Sequence, residues 1–158
     1  MHALLRLSCG FLALAAAAAL RPAPAQAAPA DPTGFWVTGP NQGLVQIYSC
    51  GPNTLCGALV GFPMDHSTDK TPETWSGLSQ CRYVFIRDLH PGTNTWGGRI
   101  TDPQSGRSYD VKLRLISPSE LWLRGYLILP MLGSTRHWMR YEGPPPPADC
   151  RMPAHSLG

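Results

Sequence analysis

The feature that most restricts the fold of this chain is the division of residues 35–141 into short apolar runs separated by turn residues. Residues 109–115 are the clearest example, because their odd positions are apolar and their even positions are charged. This alternation is the period of a β-strand with one buried face and one solvated face. Pro, Gly, Asn, Asp and Ser bound the runs, and no convincing helical period interrupts them. The sequence therefore predicts an all-β domain.

Eight such runs are present, and most of the gaps between them have the length of a hairpin turn. The predicted strands are residues 35–38, 43–49, 55–62, 81–88, 96–101, 108–116, 120–128 and 135–141. An open meander exposes its edge strands, whereas a closed eight-stranded antiparallel up-and-down barrel has no edges. We therefore predict the barrel. Its interior is either just wide enough for one small ligand or filled completely by side chains.

The first 27 residues have the pattern of a secretory signal. Arg6 supplies the positive charge, residues 7–20 form an apolar run, and Ala25-Gln26-Ala27 fits the small-x-small cleavage pattern. The apolar run is too short and too rich in alanine for a good membrane span; an uncleaved anchor is the alternative. We predict an exported protein, periplasmic or extracellular, with no membrane span after cleavage.

The predicted organisation is a signal peptide at residues 1–27, a short linker at 28–33, the barrel at 34–141 and a proline-rich tail at 142–158. Four consecutive prolines, at 144–147, should make that part of the tail stiff and unable to join a sheet. Loss of the signal removes Arg6 and Arg21, which leaves 11 of the 13 basic residues against 10 acidic ones. This balance, without a basic run, predicts no nucleic-acid partner.

Four cysteines remain after cleavage: Cys50, Cys56, Cys81 and Cys150. An even number in an exported chain predicts two disulfides, and four cysteines allow three pairings. Cys50 and Cys56 flank a turn and can face each other across a hairpin. We therefore favour that pair and, by elimination, Cys81–Cys150. Zinc ligation is the rival interpretation, but the sequence lacks the closely spaced cysteine pairs of a typical zinc site.

Residues with catalytic or metal-binding chemistry are scattered along the chain. Asp65, His66 and Asp69 could donate to a metal, but a solvated polar loop explains them as well. No serine lies in a Gly-x-Ser-x-Gly elbow, and none has an obvious base and orienting acid nearby. We predict no catalytic residue, no metal and no cofactor, and therefore no enzyme.

Aromatic and apolar residues are the better guide to binding, because ligand-holding barrels are lined by such side chains. Tyr109 and Val111 share the inward face of one predicted strand, and Leu123 lies on the inward face of the next. Trp75 lies in the long polar segment 63–79, from which it could cover an open barrel end. We predict ligand contacts for these four residues; the alternative is that they are ordinary core.

Several short motifs, in order, resemble the bacterial family catalogued as domain of unknown function 2147. They are Gly34-x-Trp36, Leu55-Cys56-Gly57, Trp96 with Gly98, Asp102-Pro103-x-x-Gly106-x-x-Tyr109, Leu121-x-x-Arg124-Gly125-Tyr126 and Gly133-x-Thr135-x-x-Trp138-x-Arg140. The resemblance implies an exported, lipocalin-like barrel of eight strands whose activity is not established. Thr101, in place of a frequent aromatic, and Lys70-Thr71-Pro72, in place of an asparagine before the proline, depart from the pattern.

The resemblance to lipocalin-like barrels also implies a structural role for Gly34, Trp36, Trp138 and Arg140 at the meeting of the first and last strands. In such barrels an arginine of the last strand lies on the indole of a first-strand tryptophan and plugs one end.

The sequence thus predicts an exported binding module that carries or senses a small, largely apolar molecule. The alternative is an envelope or interaction protein with a filled barrel, which binds another protein through residues 63–79 or through the tail. An enzyme that uses the barrel mouth is the third interpretation.

Overall fold

The computed structural model describes residues 28–39 and 43–157, and the predicted signal at residues 1–27 lies outside them. The described strands are β1 (Gly34–Val37), β2 (Leu44–Gly51), β3 (Thr54–Met64), β4 (Val84–Pro91), β5 (Trp96–Thr101), β6 (Ser108–Ser117), β7 (Glu120–Tyr126), β8 (Ser134–Arg140) and β9 (Arg151–Pro153). A single 3-10 turn, Pro130–Leu132, joins β7 to β8. All eight predicted strands are present, with bounds shifted by a few residues.

Strands β1 to β8 form the predicted closed antiparallel up-and-down barrel, which confirms the fold class. Each strand pairs with the next along the chain, and β1 also pairs with β8, where Trp36 lies opposite Arg140. This last pairing joins the two ends of the meander, so no barrel strand is left with a free edge. The hairpins β2–β3 and β6–β7 have the longest ladders of the barrel.

The ninth strand is a part of the fold that the sequence analysis missed. Residues 151–153 run parallel to the end of β3, with Phe62 opposite Arg151. Met152 and Leu157 pack with Leu44, Ala58 and Val60 in a second apolar cluster. A three-residue strand has too little alternation to be recognised, and its pairing depends on the fold of β3. The domain boundaries, including a tail that begins at 142, stay predictions.

The middle of the barrel is filled by side chains. Its core is formed by the inward residues of all eight strands, and Trp36, Val45, Ile86, Leu89, Leu113 and Leu121 are completely buried. The alternation in residues 109–115 is therefore that of a strand with Val111 and Leu113 inside and Asp110, Lys112 and Arg114 on the wetter face. The filled middle confines any free internal space to the barrel ends.

One end of the barrel, where β1 begins and β8 ends, is plugged by Arg140 and Trp36, and we call it the closed end. The Arg140 guanidinium lies 4.2 Å from the centre of the Trp36 indole. Its Nε donates to the Pro118 carbonyl (2.6 Å) and its Nη1 to the Thr33 carbonyl (3.2 Å). The Trp36 Nε1 donates to the Pro32 carbonyl at 2.9 Å. One cation thus links β8, the β6–β7 turn, β1 and the segment that precedes it.

Gly34 is the part of this plug that only glycine fits. Its φ of +128° lies in a region that residues with side chains rarely adopt. A Cβ at this position would also collide with the Arg140 guanidinium. The Gly-x-Trp motif therefore has a physical basis, because glycine makes room for the cation that covers the tryptophan. Trp138 lies deeper in the core, beside Phe85.

Both disulfides form in the favoured pairing. Cys50–Cys56 crosses the β2–β3 hairpin with a sequence separation of 6, and Cys81–Cys150 joins the long loop to the tail with a separation of 69. Cys150 is fully buried, whereas Cys50 is exposed.

We predict that Arg140→Ala lowers the free energy of unfolding by about 2 kcal/mol, because a cation–π contact and two hydrogen bonds from a charged donor are lost. Thermal denaturation followed by circular dichroism measures this as a shift of roughly 5–10 °C. Arg114→Ala is the matched control, because Arg114 also lies over an indole, that of Trp122, at 5.4 Å but on the exposed surface. Equal shifts for the two variants would contradict the plug.

We predict that loss of the Cys81–Cys150 disulfide costs more stability than loss of Cys50–Cys56. In the loop-entropy model the longer closed loop contributes about 4 kcal/mol and the shorter one about 2 kcal/mol. The paired serine variants Cys81→Ser/Cys150→Ser and Cys50→Ser/Cys56→Ser compare the two in urea denaturation. A larger loss for the hairpin pair would show that loop closure does not govern their contributions.

Candidate ligand-binding cleft

The opposite end of the barrel, which we call the open end, holds an apolar cleft of about 620 Å³. It lies where β5 and β7 end and where β4, β6 and β8 begin, so five strands and two loops contribute to its lining. The lining residues are Phe85, Ile100, Thr101, Asp102, Pro103, Tyr109, Leu123, Gly125, Tyr126, Leu127, Ile128, Leu132, Gly133, Ser134 and Arg136. The cleft is open to solvent at its mouth.

The floor of the cleft is continuous with the barrel core. Phe85 and Leu123 are both buried, and the ring of Phe85 lies 6.4 Å from that of Trp138 between centroids. Ile100 and Tyr109, which face each other across β5 and β6, are partly buried above this floor. An occupant of the cleft would therefore contact the apolar side chains of the barrel core at its base.

Gly125 provides the width of the cleft. A Cβ at this position would make only ordinary van der Waals contact, at 3.9 Å from the Ile100 side chain, so the missing side chain leaves room there. By contrast, a Cβ on Gly133 would collide with the Gly125 carbonyl. The two glycines thus have different structural roles. Gly125 leaves room for an occupant, whereas Gly133 allows the β7–β8 loop to approach β7.

Arg136 is the one cation of the cleft lining. It pairs with Leu123 across β7 and β8, so the two side chains share the inward face of the sheet. Arg136 is exposed whereas Leu123 is buried, which places the charge toward the mouth and the apolar surface below it. This arrangement suits a molecule with an apolar body and a negatively charged end.

Asp102 is the one carboxylate of the lining, and its own turn occupies it. Its oxygens accept from the Gln104 N–H (2.8 Å) and the Ser105 Oγ (2.9 Å). Burial acts to raise the pKa of Asp102, but these hydrogen bonds, a further one from the Ser105 N–H and the nearby Arg107 charge lower it overall. The carboxylate is therefore ionised at neutral pH and holds the β5–β6 turn in shape.

The four predicted ligand-contact residues lie in different places. Tyr109 and Leu123 line the cleft. Val111 lies one layer further into the barrel, where it is buried in the core and does not reach the lining. Trp75 is also outside the lining and is half exposed. The prediction of ligand contact by these residues stays a prediction.

Trp75 packs on the β5–β6 turn instead of covering the mouth. Its ring lies against Gly106, where a Cβ would collide with the indole, and meets Tyr83 edge-on at 6.2 Å. The backbone N–H of Trp75 donates to the Pro103 carbonyl at 2.9 Å. Because Pro103 lines the cleft, Trp75 braces the cleft wall from behind.

The loop between β3 and β4, which includes all of the predicted segment 63–79 except its first two residues, is held at several points. Arg151 in β9 donates to the carbonyls of His66, Ser67 and Asp69. Further along, the buried Gln80 side chain donates to the Glu73 carbonyl at 2.8 Å. His66 and Asp69 are used within this loop, where the Asp69 carboxylate accepts from the His66 N–H.

Sequence reasoning missed the lining residues that follow β7. Residues 120–128 were predicted as one strand, but β7 ends at Tyr126, and Leu127 and Ile128 turn outward into the loop. Pro130, which has no N–H to donate to a sheet, begins the 3-10 turn. That proline, within an apolar run that is too long for its strand, is the signal that could have identified the loop.

Among residues 28–39 and 43–157 no group of three or more His, Cys, Asp or Glu residues is arranged to hold a metal ion. Within the same part of the chain, no helix has the length and hydropathy needed to cross a membrane.

Comparison with known proteins identifies the family. The family model for domain of unknown function 2147, described as an uncharacterized protein conserved in bacteria, matches residues 34–140. The chain belongs to this family. The match runs from the glycine of the Trp36 motif to the arginine that covers this tryptophan, so it spans the closed barrel. No curated protein matches the chain.

A solved structure shares the fold. It is protein HP1028 from Helicobacter pylori, which its title assigns to the lipocalin family. The two chains are 18% identical, the alignment covers 70% of this chain and 82% of HP1028, and the TM-score is 0.57. This likeness establishes a lipocalin-type barrel for the family member described here.

We predict that Asp102→Ala lowers the melting temperature by a few degrees at pH 7, because the β5–β6 turn loses hydrogen bonds to a charged acceptor. The folded-state pKa of Asp102 lies below its ordinary value of 3.8. The contribution of the ionised Asp102 to the stability of the fold is therefore present above pH 3.8 and is lost as the pH falls through the folded-state pKa. The melting temperatures of the wild type and of Asp102→Ala should therefore become equal in strong acid.

The matched control is Asp110→Ala, because this carboxylate accepts from Arg99 at 2.8 Å in an exposed pair. Exposed pairs contribute little, so a small change is expected. A gap between wild type and Asp102→Ala that persists unchanged into strong acid would contradict an electrostatic origin.

Proposed function

We propose that this protein is an exported binding protein that holds one small, largely apolar molecule in the cleft at the open end of its barrel. The observation that carries the proposal is the cleft of about 620 Å³ with an apolar floor and one cation at its mouth. Its volume falls within the range of about 300–1,000 Å³ that is usual for small-molecule sites. The lipocalin-type fold supports the same class of function.

The two disulfides support an exported destination, because such bonds persist in oxidising compartments outside the cytoplasm. The signal pattern of residues 1–27 supports the same conclusion from the sequence. We place the protein in the periplasm or outside the cell.

The ligand that best fits the cleft is an amphiphile with an aliphatic body and an anionic head. The aliphatic body would lie on Leu123 and Phe85 beside Gly125, which presents no side chain to the cleft. The head would meet Arg136, whose guanidinium binds carboxylates by paired hydrogen bonds. The filled middle of the barrel limits the depth of entry, so the ligand would occupy the mouth and not the full length.

The proposal assigns binding and not catalysis. Neither histidine nor cysteine is among the cleft-lining residues, and the Asp102 carboxylate is occupied by its own turn. Ser134 in the lining has no histidine beside it in the cleft to act as a base. The second candidate, a filled barrel that acts only through protein contacts, is favoured less because of the cleft volume.

We predict that Gly125→Leu abolishes binding of dodecanoate, because the new side chain fills the space beside Ile100. Isothermal titration calorimetry and native mass spectrometry measure the loss directly. Gly97→Leu is the matched control. Gly97 also lies in a strand, and a Cβ there would lie 3.9 Å from the nearest atom, the Val111 carbonyl oxygen. It is near the closed end, away from the cleft.

We predict that Arg136→Gln weakens binding of dodecanoate about tenfold or more and leaves binding of the uncharged dodecanol almost unchanged. The charge-assisted hydrogen bonds lost are each worth roughly 1.5–3 kcal/mol. If neither compound binds the wild-type protein, or if Gly97→Leu loses binding as completely as Gly125→Leu, the cleft proposal is wrong.

A further inference from the structure

The loop that forms one lip of the cleft exposes an unusually apolar surface. Residues Leu127–Leu132, which we call the apolar tip, read Leu-Ile-Leu-Pro-Met-Leu without a polar side chain. Ile128 is 82% exposed, Leu132 78% and Met131 77%. Isolated exposed apolar residues are common, but a contiguous group marks an interaction site. Water is a poor solvent for this surface, so a partner of low polarity is expected.

Part of the backbone of the apolar tip forms hydrogen bonds within the protein. Arg124 donates from Nε to the Pro130 carbonyl and from Nη2 to the Met131 carbonyl, the latter at 2.9 Å. The Leu132 N–H donates to the Leu129 carbonyl at 3.0 Å. Three consecutive carbonyls therefore have donors, and Pro130 has no N–H to satisfy. A segment that enters lipid needs its backbone polar groups paired internally, and the carbonyls of Leu129, Pro130 and Met131 meet that requirement.

Basic side chains outnumber acidic ones next to the apolar tip, because Asp102 is the one carboxylate in the cleft lining that the tip borders. Residues 124–136 contain two arginines, Arg124 and Arg136, and no carboxylate. Arg107, in the β5–β6 turn, is exposed at the same end of the barrel. Long arginine side chains keep their charge at the level of lipid headgroups while neighbouring apolar residues reach deeper. Anionic headgroups attract such basic groups.

We propose that the apolar tip inserts into the interfacial layer of an anionic phospholipid bilayer. Leu127, Ile128 and Leu132 belong both to the tip and to the cleft lining. Insertion therefore brings the mouth of the cleft against the lipid, where an apolar ligand can move between bilayer and protein without crossing water. Docking itself does not require an occupied cleft, so it does not depend on the proposed ligand.

The test is flotation of the mature protein with phosphatidylcholine vesicles that contain 30% phosphatidylglycerol, compared with vesicles of pure phosphatidylcholine. Met131→Asp places a charge at the tip outside the cleft lining, and we expect the partition coefficient to fall at least tenfold. Met131→Leu should keep it within about twofold. Met139→Asp is the matched control, because Met139 is 51% exposed but lies on β8 near the closed end.

Melting curves check that each variant remains folded, which is expected because the substituted side chains are exposed. Gly125→Leu should still float, so failure of docking and failure of ligand binding are distinguishable. Three results would overturn the proposal: no flotation of the wild-type protein, an equal loss for Met131→Asp and Met139→Asp, or a dimer in light scattering that Met131→Asp dissociates. The dimer would identify a second copy as the partner of the tip.

Discussion

The contact between the Arg140 guanidinium and the Trp36 indole holds together the part of the barrel that would otherwise be weakest. Strand β1 has only four residues and pairs with β8 at two positions, so its ladder alone is a short seam. The cation reinforces the seam by its stacking over Trp36 and by donating to the Pro118 and Thr33 carbonyls. Because closure removes every edge of the meander, this interaction supports the arrangement of all eight strands.

The two ends of the barrel differ in structure: one is plugged and the other holds a cleft. At the closed end, the Arg140 guanidinium covers the Trp36 indole, and Gly34 lacks a side chain so that this plug can fit. At the open end, Gly125 lacks a side chain so that space remains, and Trp75 of the long loop packs on the cleft wall from outside. The disulfide Cys81–Cys150 and the hydrogen bonds of Arg151 tie this loop to the tail. The open end thus combines a buried apolar floor with a concave mouth, as small-molecule sites commonly do.

The barrel could be predicted well from the sequence because the signals that indicate strands, turns and disulfides are local. Alternation in residues 109–115, breakers such as Pro118, and the even cysteine count each act over a few positions and agree with one another. The cleft was harder to predict, because alternation says which residues point inward but not how deep they lie. Val111 and Tyr109 share a face, yet only Tyr109 reaches the mouth. Trp75 and β9 depend on long-range packing, to the Gly106 turn and to β3, which no local pattern encodes.

The central claim is that a ligand occupies the open end and not the rest of the barrel. Methyl NMR of protein labelled at isoleucine and leucine, titrated with dodecanoate, tests it most directly. The account predicts large shifts for Ile100, Leu123 and Ile128 in the cleft lining, and small ones for the core methyls of Ile47 and Leu113 and for Ile116 near the closed end. Shifts concentrated at Ile116, or no shift at Leu123 at saturating dodecanoate, would contradict the account.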